Sequence, residues 1–274
     1  MFASNPFAAL TAVMSADVMQ AYIVLMIIFV AGGTLLDVVH KKSARYFFEN
    51  ATRAQRSAKR TLSSGEKTSF AIQTLTSEVL TSSEFANPKR RMSHLMTMYG
   101  FIAFVVSTVV LIFKYPGAAD AGIWSTLWHL GALSLALGGY WFWFFIRVDV
   151  NSEGVRWYQL KRADLFIVSL LAMSTLGLIW SATGSMLFFV LFITATTVLF
   201  STVLWSKFAH MFFKPAAAFQ KRCIMADGSR ENLPADYDLS DPKVHAMFPD
   251  IPTYMGKNPP NMGLGIKREA PNHY

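Results

Sequence analysis

The sequence predicts an all-α fold, a polytopic membrane helical bundle with five transmembrane helices, and three observations support that prediction. Of the 274 residues, 53% are hydrophobic and only 15% are charged, and the mean hydropathy is +0.34. The apolar residues fall in blocks close to the roughly 20 residues that cross a bilayer. The Lys and Arg residues collect between these blocks. Together these features are typical of a membrane protein with several spans.

Each predicted span has recognisable ends. Asn87 and Pro88 stop the preceding segment and introduce the second span, and Gly184 and Ser185 allow a tight turn between the fourth and fifth. Aromatic residues lie towards both ends of the third span, as interfacial belts do. The five predicted spans cover residues 21–39, 94–113, 123–146, 165–182 and 186–213.

Three polar segments flank or join the spans. Residues 1–20 are too interrupted to cross a bilayer and predict a short interfacial segment on the periplasmic side. Residues 41–93 predict a helical hairpin against the membrane, because the stretch 67–85 within them is amphipathic. Residues 214–274 contain eight prolines and few apolar runs, which predicts a disordered tail or an extended arm that orders on a soluble partner. Apolar residues in the range 248–266 favour the arm.

The distribution of basic residues predicts the orientation. Twenty-four of the 25 Lys and Arg residues lie in the segments 40–93, 147–164 and 207–274. The positive-inside rule therefore places the N-terminus outside and the tail in the cytoplasm. No Lys or Arg precedes Lys41, so the first apolar run is expected to be a retained span and not a signal peptide.

Charge and cysteine content exclude several functions. The net charge of +8 arises from residues that flank apolar runs, which indicates anionic lipid and not nucleic acid as the partner. The single cysteine, Cys223, excludes an intrachain disulfide and any multi-cysteine zinc or iron–sulfur site. No hydrolytic triad or phosphate-binding loop appears. We therefore do not expect this chain to perform bond-making chemistry alone.

Two histidines begin and end predicted spans at the cytoplasmic edge. His94 begins the second span and His210 lies in the last part of the fifth. Two neutral imidazoles from different helices can bind haem iron axially. Alternatively, both are interfacial side chains that bind nothing, and spacing alone favours that alternative.

Other titratable residues are candidates for quinone chemistry. His129 lies beside Trp128 near the outer face and is either a belt residue or a partner for a quinone headgroup. Asp37 and His40 are one turn apart at the inner end of the first span, and form either a helix-end pair or a proton relay to quinone. Five glycines are expected to permit close helix packing: Gly100, Gly131, Gly138, Gly139 and Gly177.

Three segments resemble one family of membrane cytochrome b subunits. They are residues 89–101 (KRRMSHLMTMYGF), residues 162–166 with the Leu and Gly pattern that follows, and residues 205–215 (WSKFAHMFFKP). The family is the nitrate reductase gamma and heterodisulfide reductase membrane-subunit group, and the resemblance covers roughly residues 20–222. It implies one haem b on the cytoplasmic side with His94 and His210 as ligands, and quinone as substrate.

The resemblance also implies partners. Cytoplasmic iron–sulfur and flavin subunits of an oxidoreductase are expected to bind loop 41–93 and the tail, and to exchange electrons with the quinone pool through this chain. Residues 248–254 and 258–265 more particularly resemble the membrane anchors of adenylylsulfate reductases in sulfur oxidisers.

Two departures from the family pattern concern an outer haem. Members with two haems carry further histidines near the positions where this chain has Phe104 and Phe192. We therefore expect the outer haem to be lost. Two alternatives remain open: an electron-transfer subunit with one haem, and a cofactor-free structural anchor.

Overall fold

The computed structural model describes residues 2–40, 45–85, 87–147, 156–203, 210–233 and 241–250, with the side chains of residues 210–212 left out. These residues form helices and no strand, which confirms the all-α prediction. The α-helices are α1 (Ala16–Val39), α2 (Arg45–Ser57), α3 (Ser64–Gln73), α4 (Pro88–Lys114), α5 (Ile123–Phe145), α6 (Leu165–Thr183), α7 (Met186–Ser201), α8 (His210–Ala226) and α9 (Pro242–Met247). A π-helix, Thr74–Leu80, continues α3, and short 3₁₀ helices cover Ala8–Ala12 and Arg162–Asp164.

Three helical segments in the described chain are long and apolar enough to cross a membrane. They are Ala16–Val39, Pro88–Lys114 and Arg162–Thr183, and the apolar helix α7 is shorter, at 16 residues. Helix α5 has 23 residues, but polar and aromatic residues are scattered along it. The coarse prediction of a helical protein with membrane-spanning segments is supported by these three helices.

Helices α4 and α5 form the most extensive helix pair because glycines let their backbones meet. A Cβ atom added at Gly100 would lie 2.6 Å from the backbone nitrogen of Leu135, and one at Gly131 would lie 2.6 Å from that of Phe104. Ser93 Oγ also donates to the Gly138 carbonyl at 2.8 Å across the same contact. The predicted role of these glycines in close packing is confirmed.

The remaining long helices complete the bundle around this pair. Helix α6 packs on α5 and α7, and α1 packs more sparsely on α7 and α4. Added Cβ atoms at Gly139 and Gly177 would meet side chains of Leu171 and Phe192 at 2.7 and 3.3 Å, so the same role is confirmed there. Much of α1 is left facing outward.

The N-terminal segment closes one end of the bundle. Asn5 is 5% exposed, and its Nδ2 donates to the carbonyls of Tyr115 and Ala118 at 3.0 Å each. Phe7 packs edge-on against Trp128 and Trp180, with ring centroids 5.8 and 5.3 Å apart. The segment predicted to be interfacial therefore inserts two side chains into the bundle.

The opposite end carries a second layer of helices. Helices α2, α3 with its π-helical extension, and α8 pack together, with α8 in contact with the other two. Arg222 on α8 bonds Glu78 at 2.9 Å and Ser77 at 2.8 Å. We call these helices the polar platform. The hairpin predicted within residues 41–93 thus becomes two helices assembled on a third.

Two predicted boundaries differ from the structure. The fifth predicted helix, residues 186–213, ends earlier: α7 stops at Ser201, and the N–H of Thr202 bonds the Val198 carbonyl. The apolar run continues without a Gly or Pro, so its sequence gave no stop signal. Residues 214–226, predicted to belong to a disordered or extended tail, lie in α8. Three successive alanines and the following Gln, Lys and Arg favour helix there despite Pro215.

Candidate functional site

His94 lies in the second turn of α4, at the end of the bundle that meets the polar platform. The helix starts at Pro88, whose missing N–H costs nothing at a first helical position. Asn87 caps it, because its Oδ1 accepts from the backbone nitrogens of Lys89 and Arg90 at 2.9 and 3.3 Å. This strong start positions His94 inside the helix, where the sequence predicted the beginning of a span.

Residues 80–85 cross over α4 and are held there by three of its side chains. Arg91 Nε donates to the Thr81 carbonyl at 2.6 Å, and the Tyr99 hydroxyl donates to the Leu80 carbonyl at 2.7 Å. Between them, Nδ1 of His94 lies 3.0 Å from Oγ of Ser82. Ser82 is fully buried and has a φ of 48°, a left-handed conformation that is unusual for serine. The turn is therefore built to bring this hydroxyl to the imidazole.

An aromatic ring and two cations lie next to the imidazole. The ring centroids of Phe85 and His94 are 4.9 Å apart. Lys214 Nζ and the Arg90 guanidinium lie 5.1 and 5.3 Å from the Phe85 centroid, and Lys214 also bonds Glu84 at 2.7 Å. These cation–π contacts and the ion pair fix α8 and residues 84–85 beside His94.

A cavity of about 310 Å³ opens beside His94. We call it the His94 cavity. Its polar lining includes Glu78, Glu84, His94 and Lys214, and its apolar lining includes Phe101 and Leu170. Such a volume is at the small end of the range for small-molecule sites, and a few polar groups in an apolar wall are typical of them.

The cavity suits a single ring better than a porphyrin. The hydrogen bond between His94 Nδ1 and Ser82 allows either ring tautomer. With the proton on Nδ1, Nε2 carries the lone pair, as in a metal-ligating histidine. With the proton on Nε2, that nitrogen can donate to a carbonyl oxygen. However, a haem macrocycle is several times larger than one quinone ring, and the volume fits the smaller group. The residues described here thus supply one candidate ligand and a space that matches a quinone headgroup.

His210 is the first residue of α8, and its side chain lies outside the described residues. Its predicted pairing with His94 as a haem ligand therefore stays a prediction. Residues 204–209, which contain most of the motif that precedes His210, also lie outside the described chain.

His129 is fully buried, in contrast to the belt position that its neighbour Trp128 suggested. Nδ1 must donate to the Ser125 carbonyl at 2.7 Å, so Nε2 of the neutral ring accepts from Ser181 Oγ at 2.6 Å. The ring of Phe2 lies 5.4 Å from the imidazole. Both nitrogens are satisfied by protein groups, which favours a structural role over quinone binding.

Asp37 and His40 lie at the platform end of α1. Asp37 is 7% exposed in the last turn, whereas His40 follows the helix and is exposed. Neither residue lines the His94 cavity. Their predicted role in a proton relay therefore gains no support from the geometry of this cavity.

Phe104 and Phe192 occupy the other half of the bundle. Their rings lie 6.2 Å apart, and Phe104 is 5.0 Å from Trp128, while Phe192 stacks on Trp180 at 5.8 Å. All four side chains are buried. Phenylalanine rings, which cannot bind iron, thus stand where two-haem members of the resembled group are expected to carry their outer-haem histidines.

Sequence reasoning missed the residues that surround His94. Ser82, Phe85 and Glu84 lie in the turn after the π-helix, and Glu78 lies in the π-helix itself. π-Helical turns are frequent at functional sites, but no sequence pattern predicted this one. Only the amphipathic stretch 67–85 indicated that this segment packs against something.

The fold and the cavity define the class of protein: a helical protein with three helices long and apolar enough to cross a membrane, and a cavity lined by a histidine where the bundle meets a polar platform. Comparisons with family models, curated proteins and solved structures found no match to this chain. The described residues contain no cluster of three His, Cys, Asp or Glu side chains suited to a metal ion. Function is therefore argued from the cavity itself.

Proposed function

We propose that this protein is the membrane subunit of an oxidoreductase complex, which anchors a cytoplasmic iron–sulfur flavoprotein and exchanges its electrons with the quinone pool. The observation that carries the proposal is the His94 cavity, in which an oriented imidazole and apolar walls meet at the junction of bundle and platform. The complex resides in the bacterial inner membrane, with the platform in the cytoplasm.

The proposal includes five spans. Helices α5 and α7 are the two proposed spans in addition to the three long apolar segments. Their 23 and 16 residues give lengths of about 34 and 24 Å, which compare with a hydrocarbon core of about 30 Å. The basic residues between the spans support the orientation.

His94 is proposed to donate from Nε2–H to one carbonyl oxygen of the quinone, in the tautomer whose Nδ1 accepts from the Ser82 hydroxyl. Reduction of a quinone consumes two electrons and two protons, and imidazole is the side chain best suited to exchange protons near neutral pH. Ser82 positions the ring, and the carboxylates of Glu78 and Glu84 connect the cavity to the charged platform. Apolar walls at Phe101 and Leu170 restrict water around the ring.

The polar platform is the proposed docking surface for the soluble subunits. It exposes large apolar side chains, with Tyr46 at 56%, Phe48 at 71% and Ile72 at 58%. Exposed apolar residues on a charged surface are a feature of protein–protein contacts. The resemblance of residues 248–265 supports adenylylsulfate reductase as the partner, and most of these residues lie outside the described chain.

Two further candidates concern the cofactor. A cofactor-free structural anchor is favoured by Phe104 and Phe192, which stand where the resembled two-haem group is expected to carry outer-haem histidines and which pack with Trp128 and Trp180. A single haem b between His94 and His210 is the candidate that the sequence motifs support.

The test compares two histidine variants in the purified complex. His94→Ala is expected to abolish electron transfer from the soluble subunits to a water-soluble quinone, whereas His40→Ala, which does not line the cavity, should retain it. Equal membrane abundance of the variants must be verified first. Retained quinone reduction in His94→Ala, or purification from native membranes without any iron–sulfur or flavin subunit, refutes the proposal.

An optical spectrum separates the cofactor candidates. Wild-type protein produced with ample haem should show bis-histidine b-type absorbance if His94 and His210 bind haem, and either alanine variant should then lose it. If the wild type shows no Soret absorbance, it binds no haem. The soluble partner then reduces quinone directly at the His94 cavity, or, if no quinone is reduced, the chain is a structural anchor.

A further inference from the structure

A second and larger cavity lies between α1, α4 and α7. Its volume is about 710 Å³, and apolar side chains dominate its lining. We call it the tail cavity. On α1 the lining runs from Tyr22 to Val38, and on α4 it runs from Phe101 to Ile112. The cavity exists because α1 packs only sparsely on its neighbours.

The tail cavity is an apolar cleft that is partly open to its surroundings, so molecules next to the protein can enter it. Side chains that line a void lose their dispersion contacts on one side, and the loss grows with the area of the void. Water is a poor occupant, since it needs two to four polar partners. The lining hydroxyl of Thr34 has no hydrogen-bond partner in the described chain, whereas that of Tyr22 bonds Thr197 at 2.9 Å. A hydrocarbon chain is therefore the natural occupant.

The length of the cavity restricts the kind of chain. From Tyr22 to Val38, a rise of 1.5 Å per residue gives about 24 Å. One leaflet contributes about 15 Å, half of the hydrocarbon core. A phospholipid acyl chain held by a headgroup in its own leaflet ends near the midplane. An occupant that fills this cavity must extend further, as a long isoprenoid chain does.

The two cavities meet at one residue. Phe101 lines both the His94 cavity and the tail cavity, and its ring lies 6.3 Å from that of Phe200. A polar compartment sized for a ring therefore adjoins an apolar compartment sized for a chain. The two adjoining compartments match a molecule with one polar ring and one long apolar tail.

We infer that the tail cavity binds the isoprenoid chain of the quinone whose ring occupies the His94 cavity, with Phe101 at the junction. The inference rests on the proposed function for the identity of the ring. It adds that α1 contributes to substrate selection through the length of the chain, although α1 supplies no side chain to the His94 cavity.

The test measures the affinity of two quinones with the same ring, one with a native-length isoprenoid chain and one with a short chain, for purified protein in nanodiscs. Wild type should bind the long-chain quinone about tenfold more tightly, equivalent to about 1.4 kcal/mol. Val30→Trp fills the tail cavity and should remove this preference while short-chain binding persists. Ile28→Trp, on the exposed face of α1 and outside the lining, should behave as wild type.

A second pair of variants, on α7, keeps the test valid if the substitutions in α1 cause misfolding. Ile193→Trp enters the tail cavity, whereas Val190→Trp is 53% exposed and lies outside its lining. Extraction of lipid from the purified wild type should recover a quinone at close to one per chain, and Ile193→Trp should lose it.

The outcomes separate the two proposals. Equal affinity for both quinones, or a phospholipid as the retained molecule, overturns the tail site but leaves quinone reduction at His94 intact. Failure of either quinone to bind the wild type overturns the proposed function and the tail site together. Loss of the preference in Ile28→Trp as well as Val30→Trp shows that α1 acts only through general packing, which also overturns the tail site.

Discussion

The guanidinium of Arg147 lies 2.7 Å from the carboxylate of Asp164, and the two side chains are only 6% and 13% exposed. Arg147 also donates to the carbonyls of Trp157 and Gln159, at 3.0 and 2.8 Å, and lies 4.1 Å from the centroid of Trp143. One cation thus joins the end of α5 to the start of α6.

Removal of this cation should destabilise the protein strongly. Arg147→Met leaves the Asp164 carboxylate buried without its partner, which costs roughly 3–5 kcal/mol. Denaturation of the detergent-solubilised protein checks this. The double variant Arg147→Met with Asp164→Leu should recover part of the loss, because neither charge remains. A single variant as stable as wild type would contradict the buried ion pair.

Addition of one methyl group between α4 and α5 should be costly. In Gly131→Ala the new Cβ would lie 2.6 Å from the backbone nitrogen of Phe104, so the helices must separate, at roughly 1–3 kcal/mol. Gly32→Ala is the matched control, because nothing lies within 4 Å of its added Cβ. We expect Gly32→Ala to be neutral or stabilising by up to about 1 kcal/mol from helix propensity. Thermal unfolding of both variants provides the measurement, and similar midpoints would contradict the close contact.

His129→Ala should reduce stability without altering quinone affinity. The substitution removes a fully buried ring and leaves the half-buried Ser181 hydroxyl without its 2.6 Å partner, a loss of roughly 1–3 kcal/mol. Quinone affinity per folded molecule should equal that of wild type, since His129 does not line the His94 cavity. Thermal unfolding and quinone titration of the same samples provide both readouts. A large loss of affinity with unchanged stability would identify His129 as a quinone ligand instead.

Glu66 should make the stability of α3 depend on pH. The backbone N–H of Ser63, the Arg60 guanidinium and the Ser63 hydroxyl lower the pKa of its carboxyl from the ordinary 4.5. Because the folded-state pKa is the lower one, the stabilisation is complete above pH 4.5 and is lost as the pH falls through the folded value. Glu66→Gln should therefore be less stable than wild type at pH 6, and the difference should shrink below pH 4.5. Thermal melts at both pH values test this, and a difference independent of pH would contradict it.

The long helices were predictable because their signals are local. Asn87 and Pro88 mark the start of α4, and Gly184, with a φ of 65°, marks the end of α6. The predicted spans 123–146 and 165–182 agree with α5 and α6 within one residue. The packing glycines were also predictable, since small residues in apolar helices have few other uses.

The partners of His94 were not predictable because they arise from tertiary contact. Ser82 reaches the imidazole through a left-handed backbone that serine rarely adopts, and Lys214 arrives from a helix that follows 130 residues after Glu84. Helix α8 was also not predicted, because the prolines of residues 214–274 suggested an extended tail. The histidine was visible in the sequence, but its cavity was not.

The contact between Asn5 and Tyr115 has a consequence for biogenesis. The two residues are 110 positions apart, and a ribosome that adds about 5–20 residues per second needs roughly 6–22 s to bridge that distance. During this interval the side-chain amide of Asn5 lacks the carbonyl partner that it has in the folded protein. Residues 2–12 can therefore take up their final position only after α4 and the turn that follows it have been made. Closure of this end is a late step of assembly, and a bulky N-terminal fusion would interfere with that step before it affected insertion.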